Sequence, residues 1–129
     1  MQSALAMTEV EAIIVGGGPA GMTAAFDLAR AGHQVHVYES QSLAGGMTRY
    51  GIPEYRLPFE TIEREIELIT SMGVEMRYNT RIGRDVSMEQ LQQDNDAVML
   101  AIGLWLGRST RIPGSDHPNV YKAVDLLRR

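Results

Sequence analysis

The segment IIVGGGPAGM, residues 13–22, places four glycines and a proline directly after an apolar run. Glycine is costly in regular structure because it loses more backbone freedom on folding than any other residue. A first glycine at 16 permits a sharp turn out of a strand, a second at 18 leaves the backbone open to a bulky anion, and a third at 21 lets a helix pack closely. The segment therefore predicts a strand, a tight turn and the start of a helix.

The predicted helix start indicates what such a turn could hold. The first N–H groups of a helix lack intrahelical partners, and they carry the positive end of the helix dipole. A pyrophosphate placed there meets both the donors and the field. Glycine-rich turns also arise for purely structural reasons, so the pattern alone leaves open whether a nucleotide binds.

The rest of the chain alternates strand and helix patterns, which indicates an α/β fold. Four strands are predicted, at residues 10–15, 34–39, 74–78 and 97–102. The first and the last are continuous apolar runs, a pattern typical of strands buried on both faces. Three helices are predicted. The first runs from Pro19 to a stop at Gly32, and the second from Pro58 to a stop at Gly73. The third covers residues 88–93 and follows a capping-box pattern at Ser87 and Gln90.

Residues 40–57 show no sustained period and carry three glycines and a proline. A loop of this length inside a compact domain is uncommon unless it has a function. Residues 104–120 are expected to be extended and rich in turns, before an amphipathic end. We expect a flexible N-terminus at residues 1–9, followed by one domain, residues 10–129, with a Rossmann-like parallel sheet and flanking helices.

Composition excludes several classes of function. The 129-residue chain has no cysteine, which removes disulfides, thiolate metal sites and iron–sulfur ligation, so any electrons would have to be carried by a cofactor. The three histidines lack ligand-like spacing, and no metal site is predicted. The net charge of −4 argues against nucleic-acid binding. No segment has the pattern of a membrane span or signal peptide, so we expect a cytoplasmic protein.

Glu39 ends the second predicted strand, 18 residues after Gly21. A carboxylate at this point can accept hydrogen bonds from both hydroxyls of an adenosine ribose, and it would repel a 2′-phosphate. The alternative is a surface glutamate that only ends a strand. The spacing favours the ADP half of FAD or NAD as the ligand, and not that of NADP.

Several motifs resemble those of flavoproteins with two dinucleotide-binding domains. Gly45-Gly46-Met47 begins six residues after Glu39, and Ala-Ile-Gly at 101–103 resembles the Ala-Thr-Gly segment of those proteins, with isoleucine in place of threonine. The longer block GGMTRYGIPEYRLPFETIEREIELITSMGVEMRYNT is similar to the small (beta) subunit of glutamate synthase and to the flavin domain of dihydropyrimidine dehydrogenase. The resemblance extends over residues 11–127.

The resemblance implies a set of contacts with FAD. The implied cofactor-binding residues are Gly16, Gly17, Gly18, Pro19 and Ala20 at the pyrophosphate, Glu39, Gly45, Gly46 and Met47 along ribose and isoalloxazine, Arg56 and Gly103 elsewhere on the cofactor, and Ile82 at adenine. Arg56 offers a fork of donors suited to phosphate oxygens, and a solvated loop arginine is the alternative. Ile82 would act through its backbone, and a core residue at a strand end is the alternative. Arg49, Tyr50 and Pro53 share the long loop, and no role is assigned to them.

The implied function is that of an FAD-binding module in an NAD(P)H-dependent oxidoreductase, which passes electrons from a nicotinamide cofactor through flavin to iron–sulfur centres. These residues contain no second glycine fingerprint and no late Gly-Asp pair, so an NAD(P)H domain and an iron–sulfur domain or subunit would be partners outside this chain. No catalytic acid, base or nucleophile is identified, and no activity is expected of the isolated chain. The alternatives are a flavin- or NAD-binding dehydrogenase with the same fold but another electron acceptor, an NAD- or ADP-binding Rossmann domain with no redox role, and a chain that binds nothing.

Overall fold

The computed structural model describes residues 9–128, so the flexible N-terminus predicted at residues 1–9 lies, except for Glu9, outside the described residues. The strands are β1 (Glu11–Val15), β2 (Gln34–Tyr38), β3 (Glu75–Arg77) and β4 (Ala97–Leu100). The helices are α1 (Pro19–Arg30), α2 (Met47–Tyr50), α3 (Phe59–Ser71), α4 (Met88–Asp94) and α5 (Ala123–Leu127). The predicted α/β architecture is confirmed, because the four strands form one parallel sheet in the order β3-β2-β1-β4.

The apolar run of β1 lies in the interior of this sheet. Ile14 pairs with Val37 of β2 on one side and with Met99 of β4 on the other. Both Ile14 and Val37 are fully buried, as a strand covered on both faces requires. Because all strands run in the same direction, the segments that follow β1, β2 and β4 meet at one edge of the sheet. The glycine turn, Glu39 and residues 101–103 lie at this edge.

Helices α1 and α3 cover one face of the sheet. The buried residues of α3 recur at helical spacing, at Ile62, Ile66 and Ile69, and they share a core with Met22 and Ala25 of α1. This stripe is the one that the sequence periodicity predicts. The helix start is shifted by one residue, since Pro58 occupies the N-cap position and α3 begins at Phe59. The two helices thereby fix the position of the turn that precedes α1.

The opposite face of the sheet carries a smaller core, made by Ile13, Val15, Tyr38 and Leu91. Leu91 belongs to α4, whose N-cap residue is Ser87. The hydroxyl of Ser87 accepts a hydrogen bond from the backbone N–H of Gln90 at 3.1 Å. The predicted capping interaction is therefore present in its Ser-to-backbone half, which satisfies one of the free donors of the helix.

The prediction that residues 97–102 are buried on both faces is wrong. The exposed fractions are 40% for Met99, 59% for Leu100 and 61% for Ile102. The physical reason is position, because β4 is an outer strand and has no neighbour on its second edge among residues 9–128. Apolar composition indicates that a strand is suited to burial, but it does not indicate whether the same chain supplies the cover.

The long loop 40–57 contains one element that the sequence pattern did not predict. Residues Met47–Tyr50 form the short helix α2 directly after Gly46. Four residues make little more than one turn, which is too short for an apolar period to appear. Residues 104–120 lack helix and strand, as predicted. Within the described part of the chain, no helix has the length and apolar character needed to cross a membrane.

Candidate nucleotide-binding site

The glycine turn begins where β1 ends. Gly16 has φ +115°, a conformation that favours glycine, and its N–H donates to the carbonyl of Tyr38 at 2.8 Å. A Cβ atom on Gly16 would overlap the carbonyl oxygen of Ala101, in the segment after β4. The predicted sharp turn is therefore present. The turn lies between the last residue of β2 and the segment that follows β4.

Gly18 and Gly21 have different surroundings, although both belong to the same motif. Gly18 is the N-cap of α1 with extended backbone, and a Cβ atom there would lie 3.6 Å from the Cα of Gly46 and meet nothing closer. A Cβ atom on Gly21 would instead overlap the carbonyl oxygen of Gly16 and lie 3.1 Å from Ile14. Gly21 thus permits close packing of the helix on the turn and strand, whereas Gly18 borders open space.

Within residues 9–128, the N-terminus of α1 receives no capping hydrogen bond from a side chain. No side chain caps Gly18, Pro19 occupies the first turn, and that turn holds no acidic residue. The partial positive charge of a 12-residue helix therefore faces the space beside Gly18. This is the electrostatic arrangement that binds phosphate at helix N-termini.

Glu39 directly follows β2 and is 5% exposed. One carboxylate oxygen accepts the N–H of Gly17 at 2.8 Å, and the other accepts the N–H of Gln41 at 2.8 Å and the hydroxyl of Ser40 at 3.3 Å. An ionised carboxylate has about four acceptor positions, so these bonds leave capacity for a further donor. The contact with Gly17 also ties the carboxylate directly to the glycine turn.

The second glycine pair, Gly45-Gly46, lies directly against the first, Gly17-Gly18. The N–H of Gly45 donates to the carbonyl of Gly17 at 2.8 Å, and a Cβ atom on Gly46 would lie 2.8 Å from the Cα of Gly18. Both residues have positive φ, at 123° for Gly45 and 53° for Gly46. Because neither position has room or backbone freedom for a side chain, two backbones meet here without side chains between them. Met47 follows as the first residue of α2.

Arg49 of α2 is a buried residue of the site that sequence analysis left without a role. Its side chain is 6% exposed, and its Nε donates to the carbonyl of Ala44 at 2.7 Å. Its Nη2 donates to Glu63 of α3, and the guanidinium lies over the ring of Phe59, 5.5 Å from the centroid. Only the placement of a charged residue within a few positions of the glycine pair could have indicated this role in the sequence.

The remaining predicted residues occupy different parts of the same edge. Ile82 forms an isolated bridge with Val86 and packs against the smaller core. Its segment is connected to the residue that follows β2, because the N–H of Thr80 donates to the carbonyl of Glu39 at 3.0 Å. Gly103, with φ +67°, follows β4. Arg56 is exposed in the turn before α3, and its side chain makes no hydrogen bond or ion pair with residues 9–128.

A groove of about 260 Å³ opens beside the glycine pairs and extends between α1 and α3. The groove is lined by Gly18, Gly45 and Thr48 and by apolar side chains such as Met22 and Leu57. The site therefore combines a backbone surface suited to phosphate with an apolar space beside it. Among residues 9–128, no cluster of three metal-ligating side chains is present.

Two pKa shifts accompany these segments. Burial raises the pKa of Tyr78, Glu63 and Glu39 raise it further, and the positive charge of Arg49 opposes them. This places Tyr78 within electrostatic reach of both Glu39 and the Arg49–Glu63 pair. In the turn that carries Ile82, the hydrogen bonds from Arg84 and from the Arg81 backbone lower the pKa of Asp85 to about 2.

Comparison with known proteins finds similarity over most of the chain. Residues 14–71 match the family model of the NAD(P)-binding Rossmann-like domain. The chain is 48% identical over 103 residues to the beta subunit of NADP(+)-dependent formate dehydrogenase from Moorella thermoacetica, covering 80% of this chain and 15% of that protein. It is 42% identical over 114 residues to the small chain of NADPH glutamate synthase from Mycobacterium tuberculosis, covering 88% and 23%. The chain thus spans less than a quarter of the length of either relative.

Solved structures show the same fold. The chain is similar to Mycobacterium tuberculosis FprA in its complex with NADPH, with a TM-score of 0.84 and 27% sequence identity. The match covers 92% of this chain and 28% of that one. It confirms the predicted Rossmann-like architecture over nearly the whole described chain.

Proposed function

We propose that the protein is the FAD-binding part of an NAD(P)H-dependent oxidoreductase, in line with the match of residues 14–71 to the NAD(P)-binding Rossmann-like domain family. The homologues are subunits of NADPH-dependent oxidoreductases, which supports a redox role. The observation that carries the proposal is the uncapped start of α1, where Gly18 borders open space and Glu39 is held beside Gly17.

The residues present fit a dinucleotide. A Cβ atom at Gly18 would fill the space that a pyrophosphate needs, and the N-terminus of α1 supplies unpaired donors and a favourable field. Glu39 would accept a ribose hydroxyl at the acceptor position that its bonds to Gly17, Ser40 and Gln41 leave. We assign the pyrophosphate to the backbone of Gly16, Gly17, Gly18, Pro19 and Ala20, the ribose to Glu39, and adenine to the backbone of Ile82.

The second glycine pair and the apolar groove favour FAD over a plain adenine nucleotide. Gly45 and Gly46 bring a backbone without side chains to the pyrophosphate, and the groove offers apolar surface next to it. We assign Gly45, Gly46, Met47, Arg56 and Gly103 to the flavin half. When bound, FAD would supply hydride acceptance and electron transfer. The part of this chain is to bind and orient the cofactor.

The electron donor and acceptor of this function lie outside these residues. We propose that an NAD(P)H domain and an iron–sulfur domain or subunit complete the system, in line with relatives that are more than four times as long as the matched segment. NADPH, which appears in the names of the relatives, would not occupy the present site, because Glu39 is unfavourable for a 2′-phosphate. The cytoplasmic location stays a prediction.

The proposal is tested by titrating the purified chain with FAD, FMN, ADP and NAD⁺ in a calorimeter. FAD is expected to bind, ADP to compete with it, and FMN to bind poorly because it lacks the ADP half. Equal binding of ADP and NAD⁺ with no gain from the flavin would instead support the adenine-nucleotide domain without a redox role. If none of the four ligands binds, the proposal is contradicted.

Replacing Glu39 with alanine is expected to weaken binding of both FAD and ADP by about 1–3 kcal/mol, since a ribose hydroxyl loses a charged acceptor. The same change should reduce the preference of the parent chain for ADP over its 2′-phosphorylated form. Calorimetric titration measures both effects, at a temperature where both proteins are folded. Exposed Glu67 of α3, replaced by alanine, provides the control. Unaltered ADP affinity in the Glu39→Ala protein would show that the ribose does not contact this carboxylate.

A further inference from the structure

Arg49 is a buried charge whose contacts all lead to the glycine pairs or to α3. Its Nε donates to the carbonyl of Ala44 at 2.7 Å, and its backbone N–H donates to the carbonyl of Gly46 at 3.1 Å. The side chain also packs behind Gly45, where a Cβ atom would lie 3.0 Å from the Cβ of Arg49. Burying an arginine side chain costs free energy unless its donors are satisfied. The contacts of Arg49 must therefore offset this cost.

Contacts extend from Arg49 to α3 on one side and toward the glycine turn on the other. On one side the guanidinium pairs with Glu63, which α3 fixes in place. On the other side Arg49 donates to the carbonyl of Ala44 and packs against Gly45, whose N–H donates to the carbonyl of Gly17. Because each link is a hydrogen bond or a close packing contact, the position of α3 is transmitted to the turn that precedes α1.

An ordinary packing role would not require this particular side chain. The planar guanidinium presents its Nε and Nη2 donors in a fixed fork, so one side chain reaches the Ala44 carbonyl and the Glu63 carboxylate together. A lysine carries the same charge on one flexible amine and does not reproduce the fork. An arginine at this position therefore indicates that the side chain holds the backbone at Ala44 in place relative to Glu63.

We propose that Arg49, oriented by Glu63, is a positioning residue for the cofactor: it sets the spacing between the two glycine pairs and thereby the geometry in which the pyrophosphate is held. This inference rests on the proposed function for its ligand. The contacts on which it depends join residues of this chain to one another. The ligand and the contacts are therefore tested by separate measurements.

The test compares Arg49→Lys and Glu63→Gln with the parent chain in two measurements. In the ligand-free protein, amide hydrogen exchange at Gly45 is expected to rise about tenfold, since its bond to Gly17 loses support. At saturating FAD, the ³¹P resonances of the bound pyrophosphate are expected to shift, and the FAD dissociation constant to rise about tenfold. If Arg49 only stabilised the fold, its replacement would lower the melting temperature and leave the ³¹P resonances of the saturated protein unchanged.

Arg64→Gln is the matched control, because Arg64 neighbours Glu63 on α3 and its side chain is 70% exposed. It is expected to change neither measurement. Unchanged Gly45 exchange in both test variants would overturn the inference, and so would faster exchange with unchanged ³¹P resonances and FAD affinity. Failure of the parent chain to bind FAD would overturn the proposed function and with it the assignment of a cofactor to Arg49. The exchange data would then decide only whether Arg49 holds Gly45.

Discussion

Replacing Gly21 with alanine is expected to destabilise the fold by about 3 kcal/mol, although alanine is the better helix former by about 1 kcal/mol. The new Cβ atom would overlap the carbonyl oxygen of Gly16 and lie 3.1 Å from Ile14. Neither neighbour moves easily, since Gly16 is backbone fixed by the turn and Ile14 is fully buried in β1. The packing penalty therefore exceeds the gain in helix propensity.

Urea unfolding followed by circular dichroism measures this effect. Asp27→Ala is the control, because Asp27 is an exposed position of the same helix, and there the change is expected to stay within about 0.5 kcal/mol. If the Gly21→Ala protein proved as stable as the parent or more so, α1 would not pack on the turn as described.

Replacing Gly18 with alanine is expected to have the opposite outcome, with an intact fold and lost cofactor binding. Gly18 has φ −80° and ψ −176°, which alanine adopts readily, and the new Cβ atom would meet only Gly46 at an ordinary 3.6 Å. It would, however, occupy the space proposed for the pyrophosphate. Losing two charge-assisted hydrogen bonds of about 1.5–3 kcal/mol each would weaken FAD binding by about a hundredfold or more.

Calorimetric titration with FAD, combined with thermal melting, separates this outcome from unfolding. The Gly18→Ala protein is expected to melt near the parent temperature and to show no measurable FAD binding. Undiminished FAD affinity at an unchanged melting temperature would place the phosphate elsewhere. The Gly18→Ala and Gly21→Ala proteins together distinguish a glycine needed for binding from a glycine needed for packing. The two positions are three residues apart in one motif.

Short-range sequence patterns predicted much of this molecule because they report on local sterics. The turn at Gly16, the start of α1 and the cap at Ser87 each depend on a few adjacent residues, and all are present. The same holds for the buried stripe of α3, whose spacing follows from helix geometry alone. The parallel sheet followed from the alternation of these elements.

The errors and omissions concern relations between segments that are distant in the chain. The burial of residues 97–102 depends on what lies beside the outer strand, and composition does not contain that information. The contact of Gly45 with Gly17 and the link from Arg49 to Glu63 each join different elements of the fold. No periodicity marks such contacts. The ligand contacts assigned to Arg56, Ile82 and Gly103 stay predictions.

The outer strand β4 has a consequence for how this chain behaves in solution. One edge of β4 pairs with no other strand of residues 9–128, and the exposed apolar side chains of Met99, Leu100 and Ile102 lie along β4 and just after it. Such an edge is a template for a further strand from any polypeptide that can reach it. In concentrated solution we therefore expect self-association through this edge, and a polypeptide that pairs with the edge would cover its apolar side chains.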